Sequence, residues 1–254
     1  MVEEPVSGPA RAVVTVPDYP ESPDDRLAVL TRGDIDVRGR MPWSSNGTFL
    51  VHVCGPAGEV LGVYKPERGE RPLWDFPPGL WKREIAAYEL AVALGWELVP
   101  PTVARLDGPL GPGSVQLFVP FDPEVHYFTL FEDEGTHDTL RRLAIFDILA
   151  NSTDRKGGHV LRDDRGHIWA IDNGLSFHEE FKLRTVIWEF GGEVMTTDLV
   201  APVAALLDGG LPDQLAAWLD GDEQEAVRRR ARAVVTDRRF PVDGTGRRYP
   251  WPLV

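Results

Sequence analysis

Apolar residues alternate with polar ones in short runs up to about residue 120, and beyond it they recur every three or four residues. A chain that carries its strand patterns first and its helix patterns second predicts an α+β fold with the two parts segregated into lobes. Asp34–Arg38, Thr48–Cys54 and Val60–Lys65 read as strands, and Gly55-Pro-Ala-Gly58 between the last two predicts a hairpin. Pro66 ends that run, and the polar, Pro- and Gly-rich stretch to Gly79 reads as a loop. A helix is expected from Trp81 to Leu94, with Ile85, Tyr88 and Val92 as its inward stripe and Gly95 as its stop. Strands follow around Thr102–Leu106 and Gly113–Val119, where Pro120 closes the set, and Asp25–Leu30 precedes it as a short helix. Thr136–Ala150, Leu199–Leu207 and Glu223–Val235 have helical period, and two short strands flank Asp163–Gly166.

The expected organisation is a mobile leader over residues 1–23, a small antiparallel β N-lobe with one main helix over 24–120, and a mainly helical C-lobe over 121–254. The stretch from Pro241, with Trp251 near the end, reads as a tail laid on the surface, and no internal repeat is present. At 254 residues and 43% hydrophobic content the chain can bury a substantial core. A formal net charge of -13 argues against broad binding to nucleic acid or to anionic lipid. The basic run Arg228–Arg232 reads as a solvated helix face. The single cysteine, Cys54, falls in an apolar run and is expected to be buried; it rules out an intramolecular disulfide. Neither a secretory signal nor an apolar run of membrane-spanning length is present, so the cytoplasm is the expected compartment.

Four lysines stand against 23 arginines, so a retained lysine carries weight where a compact ammonium must hold a phosphate. Lys65 ends a strand and Lys156 sits in the run Asn151-Ser-Thr-Asp154-Arg155-Lys156-Gly-Gly-His159. With Ile171-Asp172-Asn173-Gly174, that run offers two acids in the layout phosphoryl transfer needs: one on a loop to meet an acceptor hydroxyl, one at a strand end for a metal. Ser44, Ser45, Asn46, Gly47 and Thr48 form a bend whose amides and hydroxyls suit phosphate oxygens, as they equally suit an ordinary turn. Lys65 reads as a phosphate contact or a surface lysine, and Glu84 as its partner or as a charge placed for the helix dipole. The backbone of Gln116, Leu117, Phe118 and Val119 is available to an adenine edge, although the segment also reads as a plain buried strand. Lys156 is placed to steady migrating charge or to sit solvated on its loop.

Together these residues resemble the phosphatidylinositol 3- and 4-kinase superfamily, and most of all its type II phosphatidylinositol 4-kinases. The likeness runs from about Pro42 to Phe177 and includes Ser44–Phe49, Val63-Tyr-Lys65-Pro66, Glu84, Gln116–Val119, Phe146–Arg155 and Ala170–Phe177. It implies a two-lobed protein-kinase-like fold, use of ATP with Mg2+ or Mn2+, and a divergent bacterial branch. It further implies that Lys65 binds ATP phosphates, Glu84 pairs with Lys65, Asp154 is the catalytic aspartate and Asp172 binds metal. Where related kinases place a metal-binding asparagine, this chain has His159. Imidazole is itself a ligand for divalent metal, which predicts an active kinase; a structural histidine predicts a nucleotide-binding pseudokinase instead. The loop Pro66–Gly79 lacks the cysteines that type II lipid kinases acylate, so a soluble alcohol or protein hydroxyl is the expected acceptor, without stable membrane association. A lipid kinase and a protein nucleotidyltransferase are the other enzymatic readings.

Overall fold

The structure, a computed structural model, describes residues 15–41, 44 and 46–254. Residues 1–14 of the expected leader, and Ser45 of the expected phosphate bend, lie outside the described residues. Helix α1 spans Pro23–Arg32; Ser22 caps its start and Pro23 supplies the preset φ of a first helical residue. Strands β1 (Asp34–Arg40), β2 (Phe49–Gly55) and β3 (Gly58–Pro66) follow as an antiparallel meander. The β2–β3 register closes at Gly55 opposite Gly58, the tight turn that the Gly-Pro-Ala-Gly sequence predicts. Helix α2 (Leu80–Ala93), β4 (Thr102–Arg105) and β5 (Gly113–Leu117) complete a five-stranded sheet of order β1-β2-β3-β5-β4.

Val51, Val53, Val60 and Tyr64 face α1, where Val29 and Leu30 close the first core. Because side chains alternate across a strand, the same register turns His52 and Cys54 to the opposite face. Cys54 is exposed there, contrary to the burial expected of it. Along α2 the buried stripe is Ile85, Ala86, Ala87, Leu90 and Ala91, while Val92 is 54% exposed and lies outside it. The loop expected over Pro66–Gly79 contains one three-ten turn, Glu67–Gly69.

The remainder consists of α3 (Tyr127–Phe131), α4 (His137–Ala150), the two-stranded ribbon β6 (Val160–Arg162) and β7 (Ile168–Ala170), α5 (Thr197–Gly209), α6 (Asp213–Ala216) and α7 (Gly221–Asp237). Helices α3 and α6 were not anticipated; at five and four residues they are too short to show a period. The second core joins residues of α4, α5 and α7 to Ala86, Ala87, Leu90 and Ala91 of α2, so α2 packs into the helical part. A buried Arg83–Glu223 ion pair and edge-on packing of Trp81 against Trp218 fasten it there. The basic run on α7 is not wholly solvated, for Arg230 turns inward and donates to the Leu149 carbonyl at 2.8 Å. The C-terminal stretch lies across the loop after α4, where the Gly157 amide donates to the Leu253 carbonyl at 2.6 Å.

Candidate active site

Between the sheet and the helical part lies a cavity of about 400 Å³, a size in the range of small-molecule sites. Ser44, Asn46, Gly47, Thr48, Lys65, Glu84, Gln116, Leu117, Phe118, Val119, Asp154, Lys156, His159 and Asp172 all line it. Segments more than a hundred residues apart in sequence therefore meet at one place.

The centre is a charge relay across the cleft. Lys65 Nζ pairs with Glu84 and, at 2.8 Å, with Asp172 Oδ1. The other Glu84 oxygen accepts the Asn173 amide at 3.1 Å, so one buried carboxylate joins strand, helix and loop. Asp172 Oδ2 lies 3.4 Å from His159 Nε2. Lys156 Nζ lies 3.0 Å from Asp154 Oδ2.

Local structure explains these placements. The start of α2 is capped from the preceding loop: Glu70 accepts the Gly79 amide at 2.9 Å and the Trp81 amide at 2.7 Å. That cap puts Glu84 one turn into the helix, under Lys65. Asp172 has φ +59°, the left-handed region that costs an L-residue about 1 kcal/mol or more. Arg155 holds it so, donating to the Ile171 carbonyl at 2.7 Å and to the Asn173 side chain at 2.5 Å.

Burial pulls the Lys65 ammonium toward its neutral form, but the charges and hydrogen bonds of Asp172 and Glu84 outweigh it and hold the pKa above the usual lysine value. The Lys65 charge holds Asp172 well below the usual carboxylate range, against the effect of burial and with help from His159. The Asp172 side chain is nonetheless 53% accessible, since it stands at the floor of an open cleft. Burial depresses His159, with Asp172 opposing, so the imidazole is neutral near pH 7.

Two expectations change in detail. In the bend before β2, the Gly47 amide donates to the Gly69 carbonyl at 2.8 Å and the Thr48 amide to the Asn46 carbonyl at 2.9 Å. Ser44 and Thr48 line the cavity with their hydroxyls 2.7 Å apart. At the connection between the parts, the Phe118 amide donates to the Leu61 carbonyl and the Phe118 carbonyl accepts the Tyr19 hydroxyl, both at 2.9 Å. The Gln116 side chain is spent on Thr102. The Val119 backbone N–H and carbonyl have no hydrogen-bond partner among the described residues. The segment Trp188–Gly192 lies outside the cavity lining: Phe190 is buried in the helical core and Glu189 accepts the Tyr127 hydroxyl.

Sequence reasoning passed over the network beneath the site. Asp147 on α4 accepts from Arg155 at 3.1 Å, Ser152 at 2.8 Å and Thr185 at 3.0 Å, all buried. An acid inside the apolar run Phe146-Asp-Ile-Leu was the available signal, because a buried carboxylate needs a partner. The asparagine closing α4, Asn151, is left-handed at φ +55° and fixes the chain beyond by accepting the Lys182 amide and donating to two carbonyls.

The layout is an α+β fold: five antiparallel strands and one central helix ahead of a mainly helical part. Among solved structures, a hydra Fam20 solved with sugar matches 84% of this chain and 87% of its own at a TM-score of 0.47 and 15% identity. The Helicobacter pylori proinflammatory kinase CtkA matches 83% of this chain and 94% of its own at a TM-score of 0.46 and 11% identity. Likenesses that distant say nothing of what this chain binds. No family model matches the chain. Protein Rv2133c of Mycobacterium tuberculosis is 38% identical over 266 residues, covering 90% of this chain and 95% of that protein. The chain belongs to the family of that mycobacterial protein.

Proposed function

We propose that this chain is a cytoplasmic, ATP-dependent kinase of the phosphatidylinositol 3-/4-kinase superfamily, acting on the hydroxyl of a soluble small molecule or protein. The observation that carries the reading is the Lys65–Glu84–Asp172 relay, which sets an ammonium and a half-exposed carboxylate side by side in a nucleotide-sized cavity. Residues 24–120 form its nucleotide-binding part and residues 121–254 its catalytic and metal-binding part.

In this reading adenine lies between Val63 on the sheet and Leu161 and Ile171 below, its edge read by the Val119 backbone. The Ser44 and Thr48 hydroxyls cover the phosphates, and Lys65 turns from Asp172 onto them as a point charge. Asp172 and His159 suit a divalent cation. Their facing atoms are 3.4 Å apart, near enough that small side-chain shifts would let both hold one ion. Bound there, Mg2+ or Mn2+ supplies charge stabilisation to the transferring oxygens. Asp154 orients and deprotonates the acceptor hydroxyl, and Lys156 neutralises charge beside it. Among the described residues no helix is long and apolar enough to cross a membrane, and the acidic balance favours an acceptor free in solution.

One observation favours a second reading. The Lys156 amide points at His159 Nδ1 at 3.5 Å, which leaves the ring proton on Nε2, facing Asp172. A histidine that only steadies Asp172 gives a nucleotide-binding pseudokinase. Incubation with ATP and Mg2+ or Mn2+ separates the two: a kinase releases ADP or phosphorylates itself, and Asp154→Ala abolishes both. ATP-dependent thermal stabilisation with no turnover overturns the kinase reading. An added AMP in the mass spectrum identifies a nucleotidyltransferase, and labelling of phosphatidylinositol vesicles identifies a lipid kinase.

A further inference from the structure

On the face of the sheet away from α1, at the end remote from Lys65, three metal-ligating side chains converge. His52 and Cys54 are two residues apart on β2, and Glu59 stands directly opposite Cys54 on β3. Their ligand atoms all lie within 4.8 Å of one another. His52 Nε2 is 2.8 Å from Glu59 Oε2, and Cys54 Sγ is 3.6 Å from that nitrogen and 3.8 Å from that oxygen. Among the described residues this is the one such group of three.

We propose that His52, Cys54 and Glu59 form a binding site for a thiophilic divalent cation of the zinc class, separate from the kinase cleft. Zinc bonds of about 2.0–2.3 Å at tetrahedral angles set N, O and S donors roughly 3.4–3.6 Å apart. The two sulfur distances already sit close to that spacing, so the Glu59 carboxylate has only to draw back from the ring. The donor set is thiolate, imidazole and carboxylate, which selects a borderline-soft ion over magnesium. The fourth position opens to solvent, as in sites that hold a water or an exchangeable ligand.

The surroundings suit a cation. Asp34 stands opposite Cys54 and Asp36 opposite His52 on β1, which puts two further carboxylates on this face. Arg38, unpaired at the bulge in β1, donates to His52 Nδ1 at 2.9 Å and lies 3.4 Å from Asp36. Ligation through Nε2 moves the ring proton to Nδ1, which turns Arg38 fully onto Asp36, while the thiol proton leaves to solvent. Glu59 and Lys65 are six residues apart on β3, about 20 Å along an extended strand, so the two sites do not share ligands.

Cobalt(II) tests this directly. Cys54 is the sole cysteine of the chain, so a thiolate-to-cobalt charge-transfer band reports this cluster and no other. The expected result is one equivalent bound with such a band in the near ultraviolet. The band disappears in Cys54→Ala, weakens at least tenfold in affinity in His52→Ala and in Glu59→Gln, and is unchanged in Asp172→Asn. Far-ultraviolet circular dichroism confirms that each variant is folded. Absence of the band at stoichiometric cobalt, or unaltered affinity in both His52→Ala and Glu59→Gln, overturns the proposal. Neither outcome involves nucleotide, so the kinase reading stands or falls apart from it.

Discussion

Replacing Arg155 by alanine tests whether the network under the cleft is what holds Asp172 in place. Arg155 and Asp147 have side chains 1% and 0% accessible, so truncation strands a carboxylate with no route to water. It also frees the Ile171 carbonyl and the Asn173 side chain, the two clamps on the left-handed Asp172. Breaking a buried pair by removing one partner costs about 3–5 kcal/mol. For a chain of this size each kcal/mol shifts Tm by about 2–4 °C, so the fall should be roughly 6–20 °C. Denaturant unfolding of wild type and variant measures it. The double variant Asp147→Leu with Arg155→Met removes both charges, and should recover much of the stability without restoring ADP formation, because Asp172 is still unclamped. A loss under about 1 kcal/mol for Arg155→Ala refutes the argument, as does full ADP formation by the double variant.

Lys65→Met should abolish ATP-dependent thermal stabilisation, and Lys65→Arg should recover little of it, since a planar fork cannot replace the point charge between Glu84 and Asp172; nucleotide titration by scanning fluorimetry checks both. Burial raises the pKa of Glu89 on α2 above the usual carboxylate value. Its ionisation therefore opposes folding above that pKa, so Glu89→Gln should stabilise the protein at pH 7, and the gain should vanish below about pH 4, where the carboxyl is protonated in both states; unfolding at the two pH values shows whether it does. Gly69→Ala puts a methyl 2.8 Å from the Gly47 carbonyl oxygen and 3.0 Å from its Cα. Backbone shifts of that kind cost about 1–3 kcal/mol, and here they fall on the phosphate bend, so ATP affinity should drop several-fold more than global stability; calorimetry with ATP against urea unfolding separates the two.

That segments from Ser44 to Asp172 gather at one cavity was foreseeable from the motifs, whose side chains come in a particular order along the chain. The hairpin was legible because turn residues fix its register, and that register also decides Cys54. With Val51 and Val53 turned inward, a residue one step beyond Val53 must face out. The apolar character of the run suggested burial, and the period overrode it. Val92 fell outside the buried stripe of α2 because that stripe is centred on Ala87, Leu90 and Ala91, and at 3.6 residues per turn Val92 lies on the far side of the helix from Leu90. The Asp147–Arg155–Asn173 network could not be read from sequence in the same way. Its members sit on a helix, a loop and a turn, and only their convergence makes an acid and an arginine satisfy each other out of water. Nor does any pattern reveal that the Gly47 amide is already spent on Gly69.

Helix α2 carries the carboxylate that pairs with Lys65, yet it is bolted to the helical part through Arg83–Glu223, Trp81–Trp218 and the shared core. A helix anchored in this way is chassis, not lever. Swinging it outward to uncouple the lysine would require breaking a buried ion pair and exposing Ala87 and Leu90, so the pair stays cocked whether or not a ligand is present. Control of such a site falls to lighter parts, namely the bend strapped by Gly69 and the single turn that carries Asp172. In those parts hydrogen bonds set the resting state.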